Sequence, residues 1–174
     1  MHVSIITASY GFLALGCALG LFTLILFTCK PSSKIVATIK HLTAINEITL
    51  ILGLSLLVIG NFLGGIWANE SWGRYWGWDP KETWAYISIL VYAIILHVRL
   101  VPRFYSHYLF AVLSLLGFAS ILMTYFGVNF YLAGMHSYAT GDPVPIPTWV
   151  YVCSGVVAML IIMSYKNKNL KEEK

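Results

Sequence analysis

The sequence has 174 residues, of which 59% are hydrophobic and 10% are charged, and its mean hydropathy is +0.77. These values exclude an ordinary soluble domain and indicate an integral membrane protein in which nearly every segment is a span. The net charge of +4 does not predict nucleic-acid binding, because the basic residues are scattered over short loops. Cys17, Cys29 and Cys153 lie far apart and form no CxxC pair, so they indicate neither a redox couple nor a zinc site.

Five apolar runs approach or exceed the length of about 20 residues that crosses a bilayer. They cover residues 3–28, 42–66, 80–100, 108–127 and 148–165, and a charged tail follows at 166–174. The runs are continuous and do not alternate, which excludes a closed barrel. We therefore predict an all-α integral membrane protein with a single domain. Its start, Met1-His2-Val3, lacks a basic region, so we expect no removable signal peptide.

The charges of the loops predict the orientation of these spans. With five spans, nine basic residues fall on one side, namely Lys30, Lys34, Lys40, Arg99, Arg103, Lys166, Lys168, Lys171 and Lys174. Only Arg74 and Lys81 fall on the other side. By the positive-inside rule the first side is cytoplasmic. The amino terminus, the segment after the second span and the loop that holds His136 are then expected on the outer face.

The segment between the second and third spans, residues 67–84, contains five of the six tryptophans. Its acidic end predicts a helix start, with Asp79 as the N-cap, Pro80 at the first helical position and Glu82 at the third. Trp72 and Trp76 are four residues apart, so on a helical turn they would share a face.

Two interpretations of these tryptophans remain open. Indole rings are common at the membrane interface, where they form an aromatic belt. Five indoles in 18 positions, interleaved with Gly73 and Gly77, instead favour a platform that binds a large planar ligand, because glycine lets the backbone approach closely.

His2 and His136 are predicted on the same outer face as the tryptophans. Two imidazoles on opposite faces of a planar metal macrocycle would make a bis-histidine site of the kind that binds haem iron. The alternative is that each is a loop histidine bonded to water. His97 lies about one turn inside the third span, where an ionisable residue indicates function unless it only extends to the interface. Glu47 is expected to pair with His97 or Lys40, or to be solvated.

The run Trp72-Gly-Arg-Tyr-Trp76-Gly-Trp78-Asp79 resembles the WGxxWxWD signature of the haem-handling membrane proteins of cytochrome c maturation. The continuation Pro80-Lys-Glu-Thr-Trp84 and the lead-in Trp67-Ala-Asn-Glu are similar to the CcsA/ResC branch, the cytochrome c synthase of System II. Leu96-His97, Gly127-Val-Asn129, His136-Ser-Tyr138 and His2-Val-Ser4 add further matches, so the resemblance covers nearly the whole chain.

This resemblance implies that the outer face binds haem b as a substrate. His2 and His136 would be the axial ligands of the iron, and His97 would hold haem within the membrane on its way out. The binding wall would comprise Trp67, Trp72, Trp76, Trp78, Asp79 and Trp84. Thioether bonds would then form between the haem vinyl groups and the CxxCH thiols of an apocytochrome c.

The resemblance also implies a compartment and a partner. The protein would lie in the bacterial inner membrane, with its amino terminus and tryptophan segment outside and its carboxy terminus in the cytoplasm. Family members work with a CcsB/ResB-like membrane subunit and carry further spans before the first outer histidine, so we expect this chain to be the carboxy-terminal core of a CcsA-like or fused CcsBA-like protein. The alternatives are a haem transporter or chaperone without attachment chemistry, as in the CcmC branch, and a structural membrane subunit.

Overall fold

The structure is a computed structural model that describes residues 2–135 and 145–169; within these ranges it contains no strand. Its helices are α1 (His2–Thr28), α2 (Ser33–Trp72), α3 (Pro80–His97), α4 (His107–Leu122), α5 (Val128–Tyr131) and α6 (Thr148–Tyr165). A 3-10 turn, Val98–Leu100, extends α3. A π-helical turn, Met123–Gly127, joins α4 to α5.

Five helical segments of the described chain are long and apolar enough to cross a membrane, which confirms the prediction of an all-α, multi-pass membrane protein. They are His2–Thr28, Ser33–Trp72, Pro80–Leu100, His107–Tyr131 and Thr148–Tyr165. Helix α2 has 40 residues and is therefore about 60 Å long, twice the thickness of the hydrocarbon layer. It extends past the predicted span at both ends and includes the first third of the tryptophan segment.

The end of α2 corrects the expectation that Trp72 and Trp76 share a helical face. The helix stops at Trp72, because Gly73 adopts the left-handed conformation with φ of 71° and its N–H bonds to the Asn69 carbonyl. This is the usual helix end at glycine. Trp76 therefore lies in an irregular loop, and its position relative to Trp72 is set by tertiary contacts.

The start of α3 has the predicted capping box. The Asp79 side chain accepts the Lys81 N–H at 3.2 Å, and the Glu82 side chain accepts the Asp79 N–H at 3.2 Å, with Pro80 at the first helical position. These bonds satisfy donors that no helical carbonyl can reach.

Helix α1 is central in the bundle and packs against α2, α4 and α6, while α3 packs against α2 and α4. Close approach of α1 and α4 depends on Gly20, where a Cβ would lie 2.8 Å from the Ala111 carbonyl oxygen. Small residues at such crossings let the backbones of two helices approach closely in lipid, which favours their packing. Helix α6 lies at the periphery, and most of its surface is exposed.

The antiparallel order of the spans brings His2, the end of α2, the start of α3 and the end of α5 to one end of the bundle, which we call the aromatic end. At the opposite end Glu47 pairs with Arg99. The sequence left open a pair with His97, a pair with Lys40 or solvation of Glu47, and neither of the two named partners is the one found. Arg99 is exposed and directly precedes the end of the third spanning segment, and the register of α2 against α3 brings it alongside Glu47.

Candidate functional site

A cavity of about 200 Å³ opens at the aromatic end, between the starts of α1 and α3 and the ends of α2 and the π-helical turn. We call it the inner cavity. Its lining mixes histidine, aromatic and polar side chains with backbone at two glycines: His2, Val3, Ile6, Thr7, Tyr10, Asn61, Gly64, Gly65, Trp67, Ala68, Tyr75, Trp76, Lys81, Glu82, Ala85, Thr124 and Tyr125. Four of the five spans therefore contribute to one cavity.

The imidazole of His2 lies at the wall of the inner cavity against an indole. Its ring centroid is 5.4 Å from that of Trp67, with the planes tilted by 38°. Trp67 in turn meets Trp72 edge-on at 5.0 Å. The His2 ring also packs on Gly64, where an added Cβ would be 3.5 Å from the imidazole Cδ2. Helix α1 thus places His2 in direct contact with the tryptophan segment.

A second, more open cavity of about 490 Å³ adjoins the first and is called the outer cavity. It is lined by Asn61, Phe62, Gly65, Ile66, Tyr75, Trp76, Trp78 and Tyr86. Asn61, Gly65, Tyr75 and Trp76 line both cavities, so the two spaces meet at these residues. Trp76 contacts Trp78 at 5.8 Å and Tyr86 at 6.3 Å, in both cases edge to face.

The backbone of Trp78 is strained. Its φ is 57°, a left-handed conformation that bulky L-residues rarely adopt, and its side chain is 71% exposed. Glu82 stabilises this conformation from both sides, because its Oε2 accepts the N–H of Gly77 at 2.8 Å and that of Asp79 at 3.2 Å. Backbone strain of this kind concentrates at functional sites, where the surrounding contacts maintain it.

Arg74 and Asp79 join the tryptophan loop to the segment that precedes His136. The Arg74 guanidinium pairs with Glu82 at 3.6 Å and bonds to the Met135 sulfur at 2.9 Å. The buried Asp79 accepts the Met135 N–H on its Oδ1 at 2.6 Å. His136 itself lies outside the described residues, as do residues 137–144.

The site residues predicted from the sequence and the residues that line the cavities agree only in part. His2, Trp67, Trp76 and Trp78 line the two cavities, whereas Trp72, Asp79 and Trp84 do not appear in their linings. The Trp84 carbonyl lies within hydrogen-bond distance of the hydroxyls of Ser88 and Thr124, at 2.9 and 3.1 Å, so its backbone helps to join α3 to the π-helical turn.

The sequence analysis missed most of the polar residues that line the inner cavity, among them Tyr10, Asn61, Tyr75 and Lys81. Asn61 had a usable signal, since an amide near the end of an apolar run faces protein or water more often than lipid. Lys81 had none, because as the second residue of a capped helix its direction depends on the tertiary fold. Its ammonium donates to the Asn129 Oδ1 at 3.0 Å and lies 6.0 Å from the centroid of the Tyr125 ring.

His97 lies at the opposite end of the bundle from His2 and is exposed. Its Nδ1 is 2.6 Å from the Ala93 carbonyl oxygen, so Nδ1 carries the proton and donates it. In the neutral ring the lone pair is then on Nε2, as in metal-bound histidines whose other nitrogen bonds to a backbone carbonyl. Within residues 2–135 and 145–169, no three His, Cys, Asp or Glu side chains form a cluster able to hold a metal ion.

The family model described as cytochrome c assembly protein matches residues 1–136. The chain belongs to the cytochrome c assembly protein family. It is 64% identical over 173 residues to protein NrfI of Wolinella succinogenes, an alignment that covers 98% of this chain and 19% of that protein. It is 41% identical over 140 residues to the cytochrome c biogenesis protein CcsA of Chlamydomonas reinhardtii, covering 79% of this chain and 39% of the relative.

The CcsA protein of Prochlorococcus marinus strain MED4 is 35% identical over 163 residues, with 79% of this chain and 52% of the relative covered. This member of the family therefore spans between about a fifth and a half of the length of these relatives. The matched family region, 1–136, contains both cavities and every residue of the tryptophan segment.

Proposed function

We propose that this protein holds haem at its aromatic end and presents it for covalent attachment to apocytochrome c. The observation that carries the proposal is the position of His2, whose ring lies 5.4 Å from Trp67 in a cavity that Trp76 also lines. An imidazole among indole faces suits a planar, largely apolar macrocycle with a metal at its centre. The inner cavity alone is smaller than a typical ligand site of about 300–1,000 Å³, so a ligand of this size would extend into the adjoining outer cavity.

In this proposal His2 is one axial ligand of the iron and His136 is the other. The bonds from Arg74 and Asp79 to Met135 support the second assignment, because Met135 directly precedes His136 in the chain. Bis-histidine ligation among indole side chains would keep water away from the iron and favour the ferrous state.

The tryptophan segment would provide the walls of the haem site. Trp67, Trp76 and Trp78 line the cavities and would contact the macrocycle directly. Trp72 supports Trp67 through their edge contact, Asp79 fixes the loop, and Trp84 lies one turn into α3. The chain holds and orients haem b as a substrate, and each thiol S–H of a CxxCH motif adds across one vinyl C=C bond, so that no oxidant is required.

His97 is proposed to hold haem within the membrane before it reaches the outer site. The support is its Nδ1 bond to Ala93, which leaves Nε2 for a metal. His97 follows Trp84 by 13 residues on α3, which is about 20 Å along the helix axis. A group bound at His97 would therefore lie far from the inner cavity.

The proposed compartment is the bacterial inner membrane, with the amino terminus and the aromatic end outside and the carboxy terminus in the cytoplasm. The support is the distribution of charge, since seven basic residues of the described chain lie at or beyond the span ends opposite the aromatic end, namely Lys30, Lys34, Lys40, Arg99, Arg103, Lys166 and Lys168. The proposed partners are a CcsB/ResB-like membrane subunit and apocytochrome c, with which the chain would form part of a cytochrome c synthase.

Haem binding is tested by absorption spectroscopy of the purified protein. We expect a b-type bis-histidine spectrum that is weakened in His2→Ala and in His136→Ala and is restored by added imidazole. His41→Ala is the matched control, because His41 is exposed on α2 near the opposite end of the bundle. An unchanged spectrum in both of the first two variants would refute the axial assignment.

Attachment is tested separately from binding. The protein is co-expressed with its membrane partner and a CxxCH reporter cytochrome in cells that lack other synthases. Covalent haem on the reporter, seen by peroxidase staining after denaturing electrophoresis, is the expected result. Bound haem on this protein without a matured reporter would favour the haem transporter or chaperone, and absence of haem from a correctly folded protein would favour a structural subunit.

A further inference from the structure

Two basic residues lie at the aromatic end in the described part of the chain, Arg74 and Lys81, and their environments differ. Arg74 is engaged within the loop: it pairs with Glu82, bonds to Met135, and packs so closely on Gly77 that a Cβ there would overlap the guanidinium. It does not line either cavity. Arg74 therefore has a structural role in the loop.

Lys81 lines the inner cavity, and the hydrogen-bond partner of its ammonium is a neutral amide. It donates to the amide oxygen of Asn129 at 3.0 Å and faces the Tyr125 ring. The ion pairs found among residues 2–135 and 145–169 are Arg74–Glu82 and Arg99–Glu47, so no carboxylate of these residues lies within ion-pair distance of the Lys81 ammonium; the Asp79 carboxylate attracts it from beyond that distance. Glu82 shares the cavity, but its carboxylate is engaged by two backbone N–H groups and by Arg74.

The two cavities differ in polarity. Besides Lys81 and Glu82, the hydroxyl-bearing residues Tyr10, Thr124 and Tyr125 line the inner cavity, and the Thr124 hydroxyl is bonded to the backbone carbonyls of Trp84 and Ser120. The outer cavity is lined mainly by apolar and aromatic side chains, including Phe62, Ile66 and Trp78. A ligand that spans both cavities would therefore meet the Lys81 ammonium and a somewhat more polar lining at one edge, and an apolar lining at the other.

We infer that Lys81 binds a haem propionate, so that the propionate edge lies in the inner cavity and the vinyl edge points towards Trp78 in the outer cavity. This inference rests on the proposed function, because it takes haem as the ligand. Haem carries its two carboxylates on one edge and its vinyl groups away from them, which matches the difference in polarity between the cavities. A charge-assisted bond between ammonium and carboxylate would fix that orientation. The vinyl groups would then lie beside Trp78, at the exposed part of the loop, where thiols can reach them.

The test compares haem with haem dimethyl ester, in which both carboxylates are blocked, on the full chain purified in detergent. Dissociation constants are measured by Soret absorbance for the wild type, Lys81→Met, Lys81→Arg and the control Lys40→Met, whose lysine lies at the opposite end of the bundle. We expect the wild type to bind the ester about tenfold more weakly than haem or worse, as for loss of one charged hydrogen bond. Lys81→Met should bind haem as weakly as the wild type binds the ester. Lys81→Arg and Lys40→Met should still bind haem more tightly than the ester.

The outcomes separate this inference from the proposed function. Equal affinity of the wild type for haem and its ester would overturn the role of Lys81, while His2-dependent haem binding would still stand. A preference for haem that survives in Lys81→Met would also overturn it, because another group would then bind the carboxylates. If the wild type binds neither compound, both proposals fail. Thermal unfolding of each variant confirms that the fold is retained.

Discussion

Glu82 reaches back five residues along the chain to Gly77, and its Oε2 accepts the Gly77 N–H at 2.8 Å. The same oxygen accepts the Asp79 N–H at 3.2 Å, so one carboxylate bonds on both sides of Trp78. A capping box requires only the second of these bonds. The first one connects the start of α3 to the conformation of the tryptophan loop.

Replacing Glu82 should therefore affect both the helix and the loop. We expect Glu82→Ala to lower the free energy of unfolding by about 1–2 kcal/mol and to weaken haem binding, because Trp78 loses the bonds that maintain its φ. Glu82→Gln keeps one acceptor oxygen, so its stability and haem affinity should lie between those of the wild type and Glu82→Ala. The measurements are thermal unfolding and haem titration, with the exposed Glu70→Ala as the control.

A double-mutant cycle decides whether Glu82 acts through Trp78. In a Trp78→Ala background, Glu82→Ala should cause little further loss of haem affinity, because the side chain that it positions is already gone. If the losses of affinity in the two single variants add up in the double variant, Glu82 affects haem binding independently of Trp78.

Trp78→Gly should separate stability from binding. Glycine adopts a positive φ without the steric cost paid by tryptophan, about 1 kcal/mol or somewhat more, so the variant should unfold at the same or a higher temperature. Haem affinity should fall, because the indole that lines the outer cavity is removed. A fall in both quantities would mean that the indole contributes to the fold more than its strain costs.

Asp79 should protect the Met135 backbone amide from hydrogen exchange. Its Oδ1 accepts that N–H at 2.6 Å while its Oδ2 caps α3, so Asp79→Ala removes both bonds and should cost about 1–2 kcal/mol of stability. In hydrogen-exchange mass spectrometry a peptide containing Met135 should exchange faster in Asp79→Ala than in the wild type. Asp79→Asn, which retains one acceptor, should give intermediate exchange, and unchanged protection in Asp79→Ala would contradict the contact.

Two glycines of α1, one at the contact with α4 and one in open space, allow the helix packing to be tested with a matched control. A Cβ at Gly20 would be 2.8 Å from the Ala111 carbonyl oxygen, whereas nothing lies within 4 Å of a Cβ at Gly11. Gly20→Ala should therefore destabilise the bundle by about 1–3 kcal/mol, as overpacking of a tight contact does. Gly11→Ala should leave stability equal or slightly higher, because alanine is the better helix former. Equal unfolding temperatures for the two variants would contradict the α1–α4 contact.

The orientation in the membrane is open to a direct labelling test. In a Cys17→Ala, Cys153→Ala background, Cys29 reports on the end of the bundle that carries most of the basic residues. With Cys29 also replaced, Glu70→Cys reports on the aromatic end. In intact cells a thiol reagent that cannot cross the membrane should label the Glu70→Cys protein and leave the Cys29 protein unlabelled until the cells are lysed. The reverse pattern would refute the proposed topology.

Local chemistry explains which features could be predicted from the sequence. The capping box of Asp79 and Glu82 depends on residues three apart, and the number of spans depends on runs of apolar residues, so both were predictable. The partner of Glu47 was not, because it depends on the register of α2 against α3. The position of Tyr10 and Lys81 in the inner cavity was not predictable either, because it depends on how four spans meet.

The tryptophan segment shows the same limit on a smaller scale. The spacing of Trp72 and Trp76 favours a shared helical face only while the helix continues, and one glycine with a positive φ ends it between them. The strain at Trp78 leaves no trace in the sequence, since the residue is bulky and would ordinarily avoid that conformation.

Helix α2 sets the distance between the two borders of this protein. Glu47, with its arginine partner, and Trp67, with its histidine partner, are 20 residues apart on one continuous helix, about 30 Å, which equals the thickness of the hydrocarbon layer. Inserting one residue between them would raise Trp67 by only 1.5 Å, but would also rotate it by about 100° around the axis, away from His2. The helical phase of α2 is therefore under tighter constraint than its length, and only insertions close to whole turns could adapt the protein to a thicker membrane without separating the two rings.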